Sequence, residues 1–177
     1  MTAVVVDTNV AVVANGRAKQ ASLACVKACI SALVKAVREQ IVVADLGLRI
    51  FSEYRAHLSP SGQPGVGDMF FKHVWLNQAN VQHCELVELH PVSAGDDDFE
   101  EFPGDPELAR FDRSDRKFVA AAVASKNHPA VLNASDTDWW HCQECLARHG
   151  IQIVFLCPEL MDRQKLAVRS QLRSGQE

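Results

Sequence analysis

The chain has 177 residues, 47% of them apolar and 23% charged, with a formal net charge of -4. That length suits one domain with a sizeable core, in which roughly 70% of the unfolded surface becomes buried. The charge balance excludes a general nucleic-acid coat protein, whose footprint is a strongly basic face. It does not exclude an enzyme that reaches phosphates through metal ions, because a carboxylate cluster holding divalent cations is locally cationic.

No apolar run approaches the roughly 20 residues that cross a bilayer. The N-terminus enters its first strand without the basic and apolar regions of a secretory leader. No membrane association is expected, and the expected location is cytoplasmic. In that setting Cys25, Cys29, Cys84 and Cys157, four of the six cysteines, are expected to be reduced, buried thiols that pack as small hydrophobes.

Val4-Val5-Val6 reads as a strand of a parallel sheet covered on both faces. It stops at Asp7, and Val10 to Ala14 is helix-compatible. Asp7 thus falls at the carboxyl end of a strand, where open α/β sheets place their ligands. After the break at Gly16-Arg17, Leu23, Val26, Ile30, Leu33, Val34 and Val37 recur at spacings of three and four, an amphipathic helix of about five turns. Ile41 to Ala44 reads as a second strand, Asp45 as an N-cap, and Leu46 to Leu58 as a helix.

Ser59 to Gly65 is a loop by composition, and Val66 to Ala79 a further helix. Cys84 to Leu89 is a short strand or extended segment. Pro91 to Pro103, with its acidic centre, reads as a solvated surface loop without the spacing of a calcium-binding loop. Ser114 to Lys126 reads as a helix ended by Pro129, Ala130 to Leu132 as a buried strand, and Asp138 to His149 as a helix stopped by Gly150. Ile151 to Leu156 is a last strand, and Pro158 opens a C-terminal helix fraying near Ser174. The alternation predicts one α/β domain: a parallel sheet of four to five strands with helices on both faces. Residues 1–157 form its body, and 158–177 add a helix and tail to the same domain.

Asp7 and Asp136 follow two predicted parallel strands, so they fall on one edge of the sheet. Asp115 lies in the first turn of its helix, where the dipole favours an anion. Glu53 lies mid-helix between Phe51 and Tyr54. Carboxylates gathered on one edge repel, and such a cluster is tolerable mainly when cations occupy it. Oxygen ligands without His or Cys select Mg²⁺ or Mn²⁺. Two such ions about 4 Å apart can clamp the attacking and leaving oxygens of a phosphodiester displacement. Read one at a time, each of these residues is more simply an N-cap or a solvated charge, and it is the joint pattern that points to a site.

The segments Val5-Val6-Asp7-Thr8-Asn9-Val10, Ser52-Glu53-Tyr54, Asp112 to Ala122 and Asn133-Ala134-Ser135-Asp136-Thr137-Asp138-Trp139 together resemble the PIN-domain nuclease family, which includes VapC-type toxins. The likeness runs from about residue 3 to residue 157. Ser135 and Trp139 stand where the family's last motif has Thr and Phe. The resemblance implies metal-dependent endoribonuclease activity, with a metal-activated water attacking in line and a second metal stabilising the leaving 3′ oxygen. It implies that Asp7, Glu53, Asp115 and Asp136 form the catalytic, Mg²⁺- or Mn²⁺-binding quartet with Asp138 as a further ligand. It implies auxiliary roles for Asn9 and Ser135. Asp112 reads as a helix cap or an outer carboxylate. The implied partners are RNA, an antitoxin protein and a second copy of the chain. The chain is longer than common family toxins at Ser59 to Gly67 and at Ser93 to Asp105.

Arg110, Arg113, Arg116 and Lys117 flank Asp112 and Asp115, and read either as contacts to RNA phosphates or as a solvated, internally paired face. Trp139 or Trp140 can stack on a base if exposed beside the acidic edge. His141-Cys142-x-x-Cys145-x-x-x-His149 holds zinc-ligand types, but no second pair stands nearby in sequence, so a packed helix is the expectation. Arg163, Lys165, Arg169 and Arg173 read as a solvated helix face. A haloacid-dehalogenase phosphatase also opens with a strand ending in Asp, but it needs an acid where this chain has Asn9. A receiver domain needs an acidic pair that is missing here. The remaining alternative is a catalytically silent PIN-fold module that binds or scaffolds.

Overall fold

The computed structural model describes residues 2–161. Five strands form one sheet: β1 (Thr2–Val6), β2 (Gln40–Asp45), β3 (Cys84–Val87), β4 (Ala130–Asn133) and β5 (Ile153–Phe155). Their order is β3-β2-β1-β4-β5, and every pairing is parallel. The apolar runs that predicted strands are the buried centre of this sheet: Val4, Val5, Val6, Val42, Val43 and Val131 are all at most 2% exposed. Strand order reverses between β1 and β4, so the crevice beyond their carboxyl ends is the switch point at which such sheets bind ligands.

The helices are α1 (Thr8–Ala14), α2 (Leu23–Glu39), α3 (Arg49–His57), α4 (Val66–Leu76), α5 (Arg116–Ala124) and α6 (Thr137–Arg148). α1, α2 and α4 pack on one another, while α5 lies against β1, β2 and β4. Right-handed crossovers place the helices between β1 and β3 on one face, and α5 on the other. Gly67 allows the α1–α4 approach: a Cβ there would meet the Ala11 carbonyl oxygen at 2.2 Å.

Several boundaries moved from the sequence reading. Asp45 does not cap a helix starting at Leu46. Residues 46–48 form a turn with Leu48 at φ 60°, and Asp45 reaches across it to accept the Arg49 and Ile50 N–H groups at 2.9 and 2.8 Å. The α4 helix stops at Leu76, three residues short of the expected end. A 3₁₀ turn at Arg113–Asp115 precedes α5. Described residues 158–161 are helical, and the expected fraying near Ser174 and the basic face from Arg163 to Arg173 lie outside the described residues.

Two expectations are corrected. The acidic loop is not simply solvated: Arg113, Arg49 and Arg116 pair with Asp96, Asp97 and Asp98, and Phe99 and Phe102 are buried. The loop lies at the surface as expected, with residues 91–95, 97 and 100 exposed, but Phe99 and Phe102 hold it to the body, where arginines meet its carboxylates. Cys25 and Cys157 are not free thiols but a disulfide that joins α2 to the segment after β5. Cys29 and Cys84 are buried free thiols, as expected. No helix among the described residues is long and apolar enough to cross a membrane.

Candidate active site

β1 ends at Val6, and Asp7 is the N-cap of α1. Its Oδ1 accepts the Asn9 N–H at 2.9 Å, and its Oδ2 accepts the Asn133 side-chain amide at 2.8 Å. Asp7 is only 4% exposed. Capping explains the local conformation, but it does not explain why an anion is buried among anions.

Asp136 enters from the neighbouring strand. It caps α6, its Oδ1 accepting the Asp138 N–H at 2.8 Å, while its own N–H donates to Asn133 Oδ1 at 2.9 Å. Asn133 is fully buried and so ties Asp7 to the Asp136 turn with both ends of one amide. The expected auxiliary Asn9 makes a parallel link, its Oδ1 accepting the Ala134 N–H at 2.9 Å. Sequence reasoning gave Asn133 no role. Its only signal was a polar residue closing an otherwise apolar strand.

Asp115 reaches the same crevice from the turn before α5, and its Oδ2 accepts the Trp139 indole N–H at 3.1 Å. Glu53 arrives on α3, docked against β1 by the Tyr54 hydroxyl donating to the Val6 carbonyl. Asp7, Glu53, Asp115, Ser135 and Asp136 line one cleft of 310 Å³ with Thr8 and Asn9. Thr8 is 4% exposed, and its hydroxyl oxygen has no hydrogen-bond partner.

Proximity leaves an electrostatic signature. Burial first, then the Asp115, Glu53 and Asp136 charges, push the Asp7 carboxyl well above the usual range, against the Asn9 N–H. Burial, Asp136 and Glu53 push Asp115 up to about 7, opposed by the Trp139 N–H. Asp136 is raised as well, chiefly by burial. The all-oxygen donor set suits a hard divalent cation, and the buried, partnerless Thr8 hydroxyl and the disfavoured charges of Asp7 and Asp115 are what such a cation would relieve. The carboxylates share the cleft loosely. Among the described residues, three ligand atoms within 4.8 Å of one another occur instead in two other clusters, Cys25–Cys29–Cys157 and Asp105–Cys145–His149.

Glu53 differs from the three aspartates, because Lys117 Nζ forms an ion pair with it and also donates to the Ser114 carbonyl. Lys117 is 7% exposed, so it is not the expected contact to RNA phosphates. Arg116 is corrected in the same way. It is buried, paired with Asp98 at 2.8 Å and stacked over the Phe102 ring. Trp139 is fully buried against Phe111 and cannot stack on a base. The half-buried Trp140 contacts the Phe155 ring. Arg113 keeps an exposed side chain beside the site while pairing with Asp96 at 3.3 Å. Asp112 is a cap, accepting the Ser114 N–H and hydroxyl, both at 2.9 Å. Asp138, the expected further ligand, is exposed in the first turn of α6 and is not among the residues that line the cleft.

No protein-family model, no curated protein and no solved structure compared with the chain matches it.

Proposed function

We propose that this chain is a Mg²⁺- or Mn²⁺-dependent endoribonuclease of the PIN type. The observation that carries the reading is the meeting of Asp7, Asp115 and Asp136, from three elements far apart in sequence, in one cleft at the switch point of a parallel sheet. In that reading Asp7, Asp115 and Asp136 hold the cations. Bound Mg²⁺ or Mn²⁺ supplies activation of water and neutralisation of charge on the leaving oxygen.

The chain's own residues do the rest. Asn133 and Asn9 fix the Asp7 and Asp136 turns relative to one another, so two ligand positions are set before a cation arrives. The Trp139 N–H orients Asp115. Lys117 keeps Glu53 paired at the cleft wall, which makes Glu53 an outer member of the set and not an equal fourth ligand. Arg113 is the expected cation that offers the RNA backbone a charged contact beside the cut site. An antitoxin and a second copy of the chain belong to the same reading as partners, and the toxin role follows from the family likeness alone.

One observation favours the rival reading of a silent binding module: the buried Lys117 ammonium is paired with Glu53, so a protein cation already meets one of the four carboxylates. A cleavage assay decides between them. The wild-type chain should cut single-stranded RNA in Mn²⁺ or Mg²⁺ and stop in EDTA. Asp136→Asn should cut at least about a hundredfold more slowly, the scale on which one electrostatic group at a reaction centre acts. No cleavage of any RNA with either ion removes the enzyme reading and leaves the binding module.

A further inference from the structure

The far end of α6 gathers a second set of donors of different chemistry. Cys145 and His149 are four residues apart, one turn of helix, and they project to the same side. Asp105 comes to them from forty residues upstream in sequence. Its Oδ1 caps the 3₁₀ turn at Pro106–Leu108 by accepting the Glu107 N–H at 2.9 Å, and its Oδ2 lies 3.0 Å from His149 Nε2. The carboxylate oxygen, the thiol sulfur and the imidazole nitrogen all lie within 4.8 Å of one another.

We propose that Asp105, Cys145 and His149 bind a single divalent cation of the zinc class. One sulfur, one nitrogen and one oxygen donor select Zn²⁺ over the hard ions that suit the acidic cleft. Cys145 is 4% exposed and anchors the floor. The His149 and Asp105 side chains are 37% and 21% exposed, which leaves a side open for entry and for a water as fourth ligand. The neighbouring cation, Arg148, does not compete for the donors, because it is paired with Glu107 at 2.8 Å. Binding takes the Cys145 thiol proton to solvent and needs a bare imidazole nitrogen on His149, so affinity rises with pH. Cys145 lies nine positions beyond the Asp136 cap along α6, on the order of 13 Å at the helical rise per residue. The two sites are therefore separate, and the zinc site stands whether or not the cleft cuts RNA.

The test uses Co²⁺ as a spectroscopic substitute on the full chain carrying Asp7→Asn, so that the acidic cleft contributes little. One Co²⁺ per chain with a thiolate-to-cobalt charge-transfer band is expected, and Zn²⁺ should displace it. Cys145→Ser should abolish the band, and Cys142→Ser should keep it. His149→Ala, at an exposed helix end where folding is not at stake, should weaken binding beyond the tenfold to roughly hundredfold that losing an outer-sphere partner costs. The absence of a charge-transfer band in folded protein overturns the proposal. So does a band that survives Cys145→Ser, or one indifferent to His149→Ala.

Discussion

Asp7 shows how a single residue can answer two demands at once. As an N-cap it needs its charge, since a carboxylate accepts the Asn9 N–H well. As a buried neighbour of Asp115, Glu53 and Asp136 it is pushed toward neutrality. The conflict predicts a pH dependence with a definite sign. Unfolded carboxyls titrate near 4, whereas folded Asp115 titrates at about 7 and Asp7 is raised too. Below pH 4 both states hold these protons and nothing is lost. Between about pH 4 and 7 the folded state binds more protons than the unfolded, so stability falls as pH rises, and the loss is complete once the folded groups have ionised. Thermal melts in EDTA should show this decline, and saturating Mn²⁺ should flatten it.

At the scale of elements, the site depends on how α3 is started. Asp45 is fully buried and satisfies two N–H groups across the turn at 46–48, so the helix bearing Glu53 and Tyr54 begins where that carboxylate fixes it. Asp45→Ala should cost about 2 kcal/mol, the upper end for loss of a cap, and should lower cleavage further by loosening Glu53 against Lys117. Chemical denaturation checks the first effect and the RNA assay the second. Element identity was legible from periodicity, as the Val4–Val6 run became β1 and the Leu23–Val37 spacing became α2, but the buried face of α2 is Cys25, Cys29, Leu33 and Ala36, while Leu23 and Val34 of the expected stripe are exposed. Boundaries were less so. The 46–48 turn uses a left-handed leucine, which composition does not announce, and the 3₁₀ turn at Arg113–Asp115 looks helical to any pattern.

At the scale of the molecule, the acidic cleft was legible because parallel strands put their carboxyl ends on one edge, so Asp7 and Asp136 could be placed together before any contact was known. What was not legible were pairings set by tertiary geometry. Lys117 and Arg116 resembled a cationic RNA face, yet their partners Glu53 and Asp98 lie far away in the chain and draw them inside. The Cys25–Cys157 disulfide is of the same kind, spanning 132 residues. Closing so long a loop contributes a few kcal/mol through the unfolded state. Reduction, or Cys25→Ser, should therefore lower the denaturation midpoint, while Cys84→Ser in the reduced protein should not reproduce that shift. The cleft is tested by the RNA cleavage rate of Asp7→Asn beside wild type, at saturating Mn²⁺, with the fold verified by circular dichroism. Loss of cleavage by at least about a hundredfold in a folded variant is the predicted result; Asp7→Asn cutting RNA at the wild-type rate would contradict it.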